Sequence, residues 1–373
     1  MTETQPEAAS IEPPERLPAS ITVGFIGLGY AATALHLPGL RRMPGVRVIG
    51  GADTDARRRA EWIREDAGPA FTDLQQLLDR APDVVVVCTP PHLHAEHCIR
   101  SFEAGAHVVC EKPFVENVAE ADRVLAGAAG ARRQVAVNHE FRYMPIFSEL
   151  VPKLGEPEIG RPVFVSCVQF MDLVPWEEAV PWRASMANRS LFEGGVHLID
   201  LIQSLVGRLP RTVTSHTSAG LDPTRTADAI HLVTLDYGGG LLAQVTIDRL
   251  CRAGTRYVDL RVDCERASLR SSFGGRAMLQ VGVKRGERPG VRVDFGLEGL
   301  AWAERGLRRT FIARNPRHSA ARATEALWAG VLEAWRRGEE PPTAAQNIRQ
   351  TIRIVEAAYA SAQSGSRVVL EAA

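Results

Sequence analysis

Lysine is scarce in this 373-residue chain. Of its 44 lysine and arginine residues, only Lys112, Lys153 and Lys284 are lysines, and the formal net charge at pH 7 is +0. The chain therefore lacks the positive charge that marks proteins binding nucleic acid or an anionic membrane surface. Because lysines are so few, Lys112 is not one of many scattered surface lysines and becomes a candidate functional residue.

Long apolar runs and paired cysteines are also missing. No run approaches the roughly 20 apolar residues that span a bilayer, and residues 1–20 are rich in Pro, Glu and Ala without an apolar signal-peptide core. None of the six cysteines forms a C-x-x-C pair, which argues against a zinc site or a redox dithiol. We therefore expect a disordered segment over 1–20, no metal and a reducing, cytoplasmic location.

Strand-like and helical segments alternate in the first 140 residues. A composition of 45% hydrophobic and 24% charged residues is typical of globular proteins, and the length favours two domains. Helical spacing separates successive apolar runs, which lie at 21–30, 46–53, 83–90, 106–110 and 133–138. This alternation predicts βαβ units and a parallel sheet, which we assign to a first domain over residues 21–142.

Strand-like segments follow one another in the second half of the chain. They lie at 161–171, 211–218, 229–236, 241–250, 256–264 and 277–283. A helical segment at 194–206 interrupts them, and residues 318–337 and 343–362 are helical. The Tyr-Gly-Gly-Gly run at 237–240 predicts a hairpin. The pattern predicts an α+β domain over 143–373 with a large open, mostly antiparallel sheet, and it leaves residues 285–317 unassigned.

A glycine loop connects the first strand to the first helix. Gly27-Leu28-Gly29-Tyr30-Ala31-Ala32 fits G-x-G-x-x-[GA], in which the first glycine permits a tight turn and the second lets the backbone approach a pyrophosphate. Asp53 ends the second strand about 20 residues beyond, where a carboxylate accepts hydrogen bonds from a ribose. Asp53 favours NAD, because its negative charge would repel the 2′-phosphate of NADP. NADP stays open, because Arg57 and Arg58 follow closely and could bind that phosphate.

Lys112 lies in "AGAHVVCEKPF" at 104–114, at the strand edge where the glycine loop also lies. Together with that loop, "CTPPHLH" at 88–94, "NHEFRYMP" at 138–145 and "EGGVHLID" at 193–200, this motif resembles the Gfo/Idh/MocA oxidoreductase family. The family is named after glucose-fructose oxidoreductase and inositol dehydrogenase, and the resemblance covers about residues 21–365. It implies a Rossmann domain followed by an α/β domain whose large open sheet is often used for oligomer contacts.

In this family the E-K-P lysine lies between nicotinamide and substrate, and the Lys-Pro bond is often cis. The resemblance therefore implies that Lys112 orients and polarises the substrate hydroxyl; the alternative is an ion pair with Glu111 at a strand end. For His94, packing at the helix start is an equal alternative to lining the cofactor groove. The expected cofactor contacts are Gly27, Gly29, Tyr30, Ala31, Asp53, Thr89, Pro90, His94, Glu111 and Lys112.

The family's D-x-G-x-H-x-x-D signature reads here from Glu193 to Asp200. His197 is the candidate general base, because neutral imidazole takes a hydroxyl proton near pH 7. Glu193 is the third predicted catalytic residue, beside Lys112 and His197. It stands where the family usually has Asp, so its role stays open: it orients Lys112 or His197, or contacts substrate. For Arg142 an interdomain salt bridge is the alternative. The expected substrate contacts are Lys112, His139, Arg142, Trp182, Arg183, His197 and Asp200.

The leading functional hypothesis is an NAD(P)-dependent dehydrogenase or ketoreductase acting on a secondary alcohol of a sugar, cyclitol or nucleotide sugar. One alternative uses tightly held NAD to cleave a glycosidic bond without net redox change, and another is a non-catalytic nucleotide-sensing regulator. Retention of both Lys112 and His197 counts against the regulator. A homo-oligomer, dimer or tetramer, is expected through the second domain's sheet, with no nucleic-acid or membrane partner.

Overall fold

The structure is a computed structural model that describes residues 13–172, 174, 180–186, 188–221, 228–252, 257–274, 278–282, 290–294 and 298–370. The chain forms two compact units. The first comprises Met1–Phe114, Ala119–Asn138 and Trp328–Asn347, and the second comprises Val115–Val118, His139–Leu327 and Ile348–Ala373. The segment Trp328–Asn347, which the sequence-based boundary put in the second domain, therefore groups with the first unit. The boundary at 142/143 itself stays a prediction.

The first unit is built on a six-stranded sheet in which every pair of neighbours is parallel. The strand order is β3-β2-β1-β4-β5-β6, the doubly wound order of dinucleotide-binding folds. The strands are β1 (Ile21–Ile26), β2 (Val46–Ala52), β3 (Ala70–Phe71), β4 (Val84–Val87), β5 (His107–Cys110) and β6 (Val135–Val137). All four valines of β4 are fully buried, as expected for a strand covered on both faces.

Helices connect these strands. The first begins as a π-helical segment, Ala31–His36, and continues as α1 (Leu37–Leu40). The others are α2 (Ala56–Arg64), α3 (Leu74–Leu78), a 3₁₀ turn Pro91–Leu93, α4 (His94–Glu103) and α5 (Val118–Gly130). Asp55 and Asp73 cap α2 and α3 by accepting backbone N–H bonds two residues on.

The N-terminal segment differs in part from the disorder expected for residues 1–20. Residues 1–12 lie outside the described residues. Residues 13–20 pack on the first unit: Leu17 is buried, and the Glu15 N–H donates to the Arg132 carbonyl over 3.0 Å. Leu17, main-chain hydrogen bonds, the Glu15–Arg133 ion pair and hydrogen bonds from Arg336 attach this segment, although its composition is polar.

The second unit contains a nine-stranded sheet, ordered β16-β15-β12-β11-β7-β10-β9-β8-β17. Strands β7 and β10 pair in parallel, and the other neighbours are antiparallel, so the predicted fold class is confirmed. The strands are β7 (Pro162–Phe170), β8 (Thr212–Ser218), β9 (Ile230–Gly238), β10 (Leu241–Asp248), β11 (Val258–Cys264), β12 (Ser268–Phe273), β15 (Leu300–Arg305), β16 (Arg308–Arg314) and β17 (Val368–Val369). A separate ladder joins β13 (Met278–Gly282) to β14 (Gly290–Asp294).

One buried helix packs on this sheet. It begins as a π-helical segment, Leu191–Gly195, continues as α8 (Val196–Val206) and ends at Gly207, whose φ of 72° is left-handed. A Cβ at Gly194 would collide with the Gln169 side chain of β7, so glycine permits the close approach of helix and strand. The remaining helical segments are a 3₁₀ turn Glu140–Tyr143, α6 (Pro145–Ser148), a 3₁₀ turn Val151–Lys153, α7 (Pro181–Ala184), α9 (Ser319–Arg337) and α10 (Ala345–Ser364). None of the described helices combines the length and the apolarity that a membrane span requires.

Candidate functional site

The glycine loop lies at the carboxyl edge of the first unit's sheet. Gly27 has a φ of 87°, and a Cβ there would lie 2.7 Å from the Cys88 carbonyl at the end of β4. At Gly29 the nearest neighbour of a Cβ would be the Arg58 guanidinium, at 3.8 Å. The first glycine therefore makes a turn that only glycine fits, and the backbone of the second has room for a phosphate. Both features fit a bound dinucleotide.

Asp53 follows β2 and holds this loop in place. Its carboxylate accepts hydrogen bonds from the N–H groups of Leu28 and Asp55, both over 2.8 Å. Arg58 Nη1 lies 3.5 Å from the Asp53 carboxylate, and the Arg58 side chain is half exposed. Arg57 instead pairs with Asp55 and is exposed. Of the two arginines, Arg58 is the one that lies beside both Asp53 and Gly29.

The other predicted cofactor contacts lie along the same edge. Tyr30 is 77% exposed at the start of the helix, next to Ala31. Thr89 follows β4, where its hydroxyl contacts His97 Nδ1 at 3.0 Å, and Pro90 precedes the 3₁₀ turn. These exposed or edge positions agree with the predicted cofactor groove, although contact with the cofactor stays a prediction.

His94 is fully buried, and main-chain carbonyls contact both of its ring nitrogens. Nε2 lies 2.7 Å from the Thr89 carbonyl oxygen, and Nδ1 lies 2.9 Å from that of Pro113 and 3.1 Å from that of Phe114. Burial lowers the pKa of His94 below its ordinary value, against the opposing effect of these carbonyls. The imidazole thus joins the loop after β4 to the turn after Lys112. These contacts favour the packing alternative for His94.

Glu111 is the centre of a buried hydrogen-bond network. Its Oε1 accepts from His36 Nε2 and Asn138 Nδ2, each over 2.8 Å, and its Oε2 accepts from the Lys112 N–H over 3.1 Å. Trp328 Nε1 donates to His36 Nδ1 over 2.9 Å, so the His36 proton is on Nε2. Burial would raise the pKa of Glu111, but these bonds and the nearby charges hold it below its ordinary value.

Lys112 follows this anchored carboxylate directly. The partly buried lysine lies at the exit of β5, and the Lys112–Pro113 peptide bond is cis, as the resemblance implied. The network of His36, Asn138 and Trp328 was not predicted from the sequence. The one feature of the sequence that points to this network is His36, a polar residue among the apolar positions of a helical segment.

In the second unit, the turn Glu140–Tyr143 packs against α8. Arg142 donates to both carboxylate oxygens of Asp200, from Nε and from Nη2, each over 2.6 Å. His139 Nδ1 lies 3.5 Å from the same carboxylate. Burial would lower the pKa of Arg142, but Asp200 raises it above its ordinary value. The salt bridge that the alternative hypothesis supposed for Arg142 is therefore present, and both of its partners belong to the second unit.

His197 is 3% exposed and is enclosed by the same turn. Its ring stacks on Phe141 with centroids 4.2 Å apart and 15° between planes, and the His139 ring meets it edge-on at 5.7 Å. His197 Nδ1 lies 4.0 Å from a carboxylate oxygen of Glu140, which is buried. Glu140 was not among the predicted site residues; its only signal is a charged side chain within "NHEFRYMP".

Glu193 pairs with Arg183. Its Oε2 accepts from Arg183 Nε over 3.0 Å, and the Arg183 guanidinium carbon lies 4.3 Å from the centre of the Trp182 ring. Burial raises the pKa of the Tyr257 phenol against the positive charge of Arg249, and the charges of Glu140 and Glu193 raise it further.

The second unit therefore contains two groups of predicted site residues. One consists of His139, Arg142, His197 and Asp200, and the other of Trp182, Arg183 and Glu193. Residues 173, 175–179 and 187 of the adjoining loop lie outside the described residues. Lys112 belongs to the first unit, and its convergence with His197 stays a prediction.

A parallel sheet in the 3-2-1-4-5-6 order with a glycine loop at its carboxyl edge defines an NAD-binding Rossmann protein. The comparison with protein families agrees. Residues 21–139 match the model described as "Oxidoreductase family, NAD-binding Rossmann fold", and residues 153–270 match the Gfo/Idh/MocA C-terminal domain. The chain belongs to the Gfo/Idh/MocA family of NAD(P)-dependent oxidoreductases, so the predicted family, enzyme class and cofactor type are confirmed.

Two curated relatives illustrate the similarity. The chain is 29% identical over 224 residues to scyllo-inositol 2-dehydrogenase (NADP(+)) IolW of Bacillus subtilis, a match that spans 59% of this chain and only 60% of that protein. It is 26% identical to D-apiose dehydrogenase of Paraburkholderia graminis, over 93% of this chain and 89% of that protein.

Solved structures share the fold. An oxidoreductase from Agrobacterium radiobacter, in complex with NAD+, L-tartaric acid and magnesium, superposes with a TM-score of 0.79 at 18% identity, covering 94% of this chain and 98% of that one.

Proposed function

We propose that the chain transfers hydride between nicotinamide and a secondary alcohol, or the corresponding ketone, of an uncharged polyol such as a sugar or cyclitol. The cofactor, when bound, accepts or supplies the hydride at C4 of its ring. The Gly27–Gly29 loop and Asp53 are assigned to hold it. His197 takes the hydroxyl proton during oxidation, and Lys112 donates to the substrate oxygen as its charge develops.

The pairing of charges in the second unit carries the proposal for an uncharged substrate. Arg142 is engaged by Asp200 at both ends of its guanidinium, and Arg183 is engaged by Glu193. Because a buried carboxylate already balances the charge of each arginine, a phosphate or carboxylate on the substrate would bring an uncompensated negative charge beside Asp200 and Glu193, which is costly. Hydroxyl groups of a polyol can instead bond to the carboxylates and guanidinium edges that are already in place.

A cofactor-reduction screen tests this proposal. The full chain is mixed with NAD+ or NADP+ and with inositols, aldoses, sugar phosphates, uronates and nucleotide sugars, and nicotinamide absorbance is followed. We expect turnover with an uncharged polyol, and its loss in Lys112→Ala and His197→Ala. Lys153→Ala and the exposed His216→Ala are matched controls that should keep the wild-type rate.

Two results would contradict it. Wild-type turnover in both Lys112→Ala and His197→Ala would remove these residues from their assigned roles. A clear preference for sugar phosphates or uronates would reject the uncharged substrate. Cleavage of a glycoside without net formation of reduced cofactor would favour the redox-neutral alternative, and cofactor binding with no turnover would favour the regulator.

We also propose a homo-oligomer, a dimer or tetramer, formed through the second unit's sheet. Leu232 on β9 and Leu242 on β10 are 41% and 44% exposed, and Phe170 at the end of β7 is 37% exposed. Light scattering of the wild type and of Leu242→Asp tests this assembly, because a charge on the contacting face would disfavour it. The six cysteines are free, in keeping with the proposed reducing cytoplasm.

A further inference from the structure

Four consecutive residues of the second unit contact the helix that carries His197. The His139 ring meets the His197 ring edge-on, a carboxylate oxygen of Glu140 lies 4.0 Å from His197 Nδ1, and Phe141 stacks on the imidazole. Arg142 binds Asp200, one helical turn beyond His197. The turn thus contacts the imidazole on one face through Phe141, on one edge through His139 and at Nδ1 through Glu140.

The carboxylate at Nδ1 has a chemical consequence. A carboxylate facing one ring nitrogen favours the tautomer with the proton on that nitrogen, which leaves the lone pair of the other nitrogen as the base. A separation of 4.0 Å is too long for a hydrogen bond, but hydrogen bonds to catalytic groups often tighten only when substrate binds. The same negative charge stabilises the imidazolium that forms when His197 takes a proton.

Glu193, which the family signature puts one helical turn before His197, has a different partner. Its carboxylate accepts from Arg183 over 3.0 Å. Asp200, one turn after His197, is engaged by both arms of Arg142. We propose that Glu140 is the positioning residue of His197, holding its Nδ1–H tautomer and presenting Nε2 as the proton acceptor, while Glu193 positions Arg183. This inference rests on the proposed role of His197 as the base.

Other titratable groups also face this part of the unit and enter the test. The His139 imidazole is edge-on to His197 and 3.5 Å from Asp200, and the charges of Arg249, Glu140 and Glu193 act on the Tyr257 phenol. A change in any of these charges would move the pH profile, so a pH profile alone does not identify Glu140. A direct reading of the His197 tautomer is needed beside it.

The kinetic arm uses Glu140→Gln, which keeps the side-chain shape and removes the charge. We expect kcat/KM to fall about 10- to 100-fold, by analogy with the carboxylate partners that orient metal-bound histidines. The low-pH limb of the kcat/KM profile should move to lower pH, with KM for the dinucleotide unchanged. Glu140→Asp, which keeps the charge, should recover part of the loss. Glu265→Gln, which removes a carboxylate from the exposed pair with Arg161, is the matched control. It should change neither kcat/KM nor its pH profile.

The spectroscopic arm needs neither substrate nor cofactor. The full chain is labelled with ¹⁵N-histidine, and the His197 signals are assigned by their loss in His197→Gln. The nitrogen shifts then report which ring nitrogen holds the proton. We expect Nδ1–H in the wild type and a shift toward Nε2–H in Glu140→Gln, with no change in Glu265→Gln.

The two arms separate this inference from the proposed function. If no polyol is turned over, the proposed function fails while the tautomer measurement still decides the role of Glu140. An Nε2–H tautomer in the wild type would overturn the inference, even if Glu140→Gln does not fold. An unchanged tautomer and pH profile in a folded Glu140→Gln would overturn it too. So would a Glu193→Gln variant that moves both readouts while Glu140→Gln moves neither.

Discussion

His107, the first residue of β5, predicts that acid destabilises the first unit. The side chain is 3% exposed, and its Nδ1 accepts a hydrogen bond from the Gln134 N–H over 3.1 Å. Its ring packs against Trp335 with centroids 5.2 Å apart. Burial, and then the positive charge of Arg133, lower the pKa of His107 from 6.5 to about 4. A protonated Nδ1 cannot accept the Gln134 bond, so protonation removes this contact.

The size and sign of the effect follow from this pKa difference. In the unfolded chain His107 binds a proton near pH 6.5, but in the folded chain only near pH 4, so the unfolded state binds more protons between these values. Stability is therefore complete above pH 6.5 and falls as the pH is lowered toward 4. At about 1.4 kcal/mol per pH unit, the total loss is about 3 kcal/mol. Total stabilities of about 5–15 kcal/mol make such a loss easy to measure.

Urea unfolding followed by tryptophan fluorescence, at a series of pH values from about 7 to about 4, measures the effect. The informative variant is His107→Asn, because its amide oxygen can accept the Gln134 N–H bond without titrating. We expect a shallower dependence of the unfolding free energy on pH in this variant. His92→Asn, which changes an exposed histidine of the same unit, is the matched control and should retain the wild-type dependence.

An identical pH dependence in wild type and His107→Asn would refute this reasoning. His97 offers a second check, because burial lowers its pKa to about 4 as well. If neither His107→Asn nor His97→Asn flattens the curve, buried histidines are not the origin of acid sensitivity in this unit.

Three further predictions concern the glycine loop, the cofactor and α8. Gly27→Ala would place a Cβ 2.7 Å from the Cys88 carbonyl at a φ of 87°. We expect thermal unfolding to show a loss of about 1–3 kcal/mol in folding stability, and calorimetry to show weaker NAD+ binding. Gly29→Ala is the control and should keep the wild-type stability. Arg58→Ala should weaken NADP+ binding more than NAD+ binding, because Arg58 lies beside Asp53 and the loop; equal losses would contradict this. Asp200→Asn should lower the urea midpoint, at a cost of up to about 3–5 kcal/mol, since it leaves the partly buried Arg142 charge without its carboxylate.

The parts of the fold that follow from local pattern were predicted, and the parts that depend on neighbouring strands were not. Apolar runs ending in turns located β1, β2, β4 and β5, and the glycine run at 237–240 located the hairpin between β9 and β10, where all three glycines have positive φ. The sequence did not reveal β12, which buries Ser271 and Ser272, or β16, whose side chains are mostly exposed. Segments of small polar residues and arginines form these strands because their backbones pair with adjacent strands. The composition of a segment does not reveal whether such a neighbour is present.

The site shows the same division. Motif register predicted Lys112, His197 and Asp200, because a signature fixes residue types at fixed spacing. It did not predict that Trp328 bonds to His36 across 292 positions of sequence, or that Glu193 pairs with Arg183. Such pairings depend on which side chains the tertiary structure brings together, and a buried charge takes the partner available there.

The distribution of charge in the second unit also bears on the direction of proton transfer. When an alcohol is oxidised, the hydride leaves with two electrons and the proton passes to the base, so a new positive charge forms on the imidazole. Asp200 and Glu193 already balance the charges of Arg142 and Arg183, whereas the Glu140 carboxylate faces the imidazole at Nδ1. Stabilisation of the cation thus rests on Glu140 more than on the two signature carboxylates. In the reverse reaction the same carboxylate would hold the proton on His197 until the alkoxide forms. Because the equilibrium constant at a given pH is fixed and cofactor binding is expected to be unchanged, Glu140→Gln should lower kcat/KM for oxidation and for reduction by the same factor.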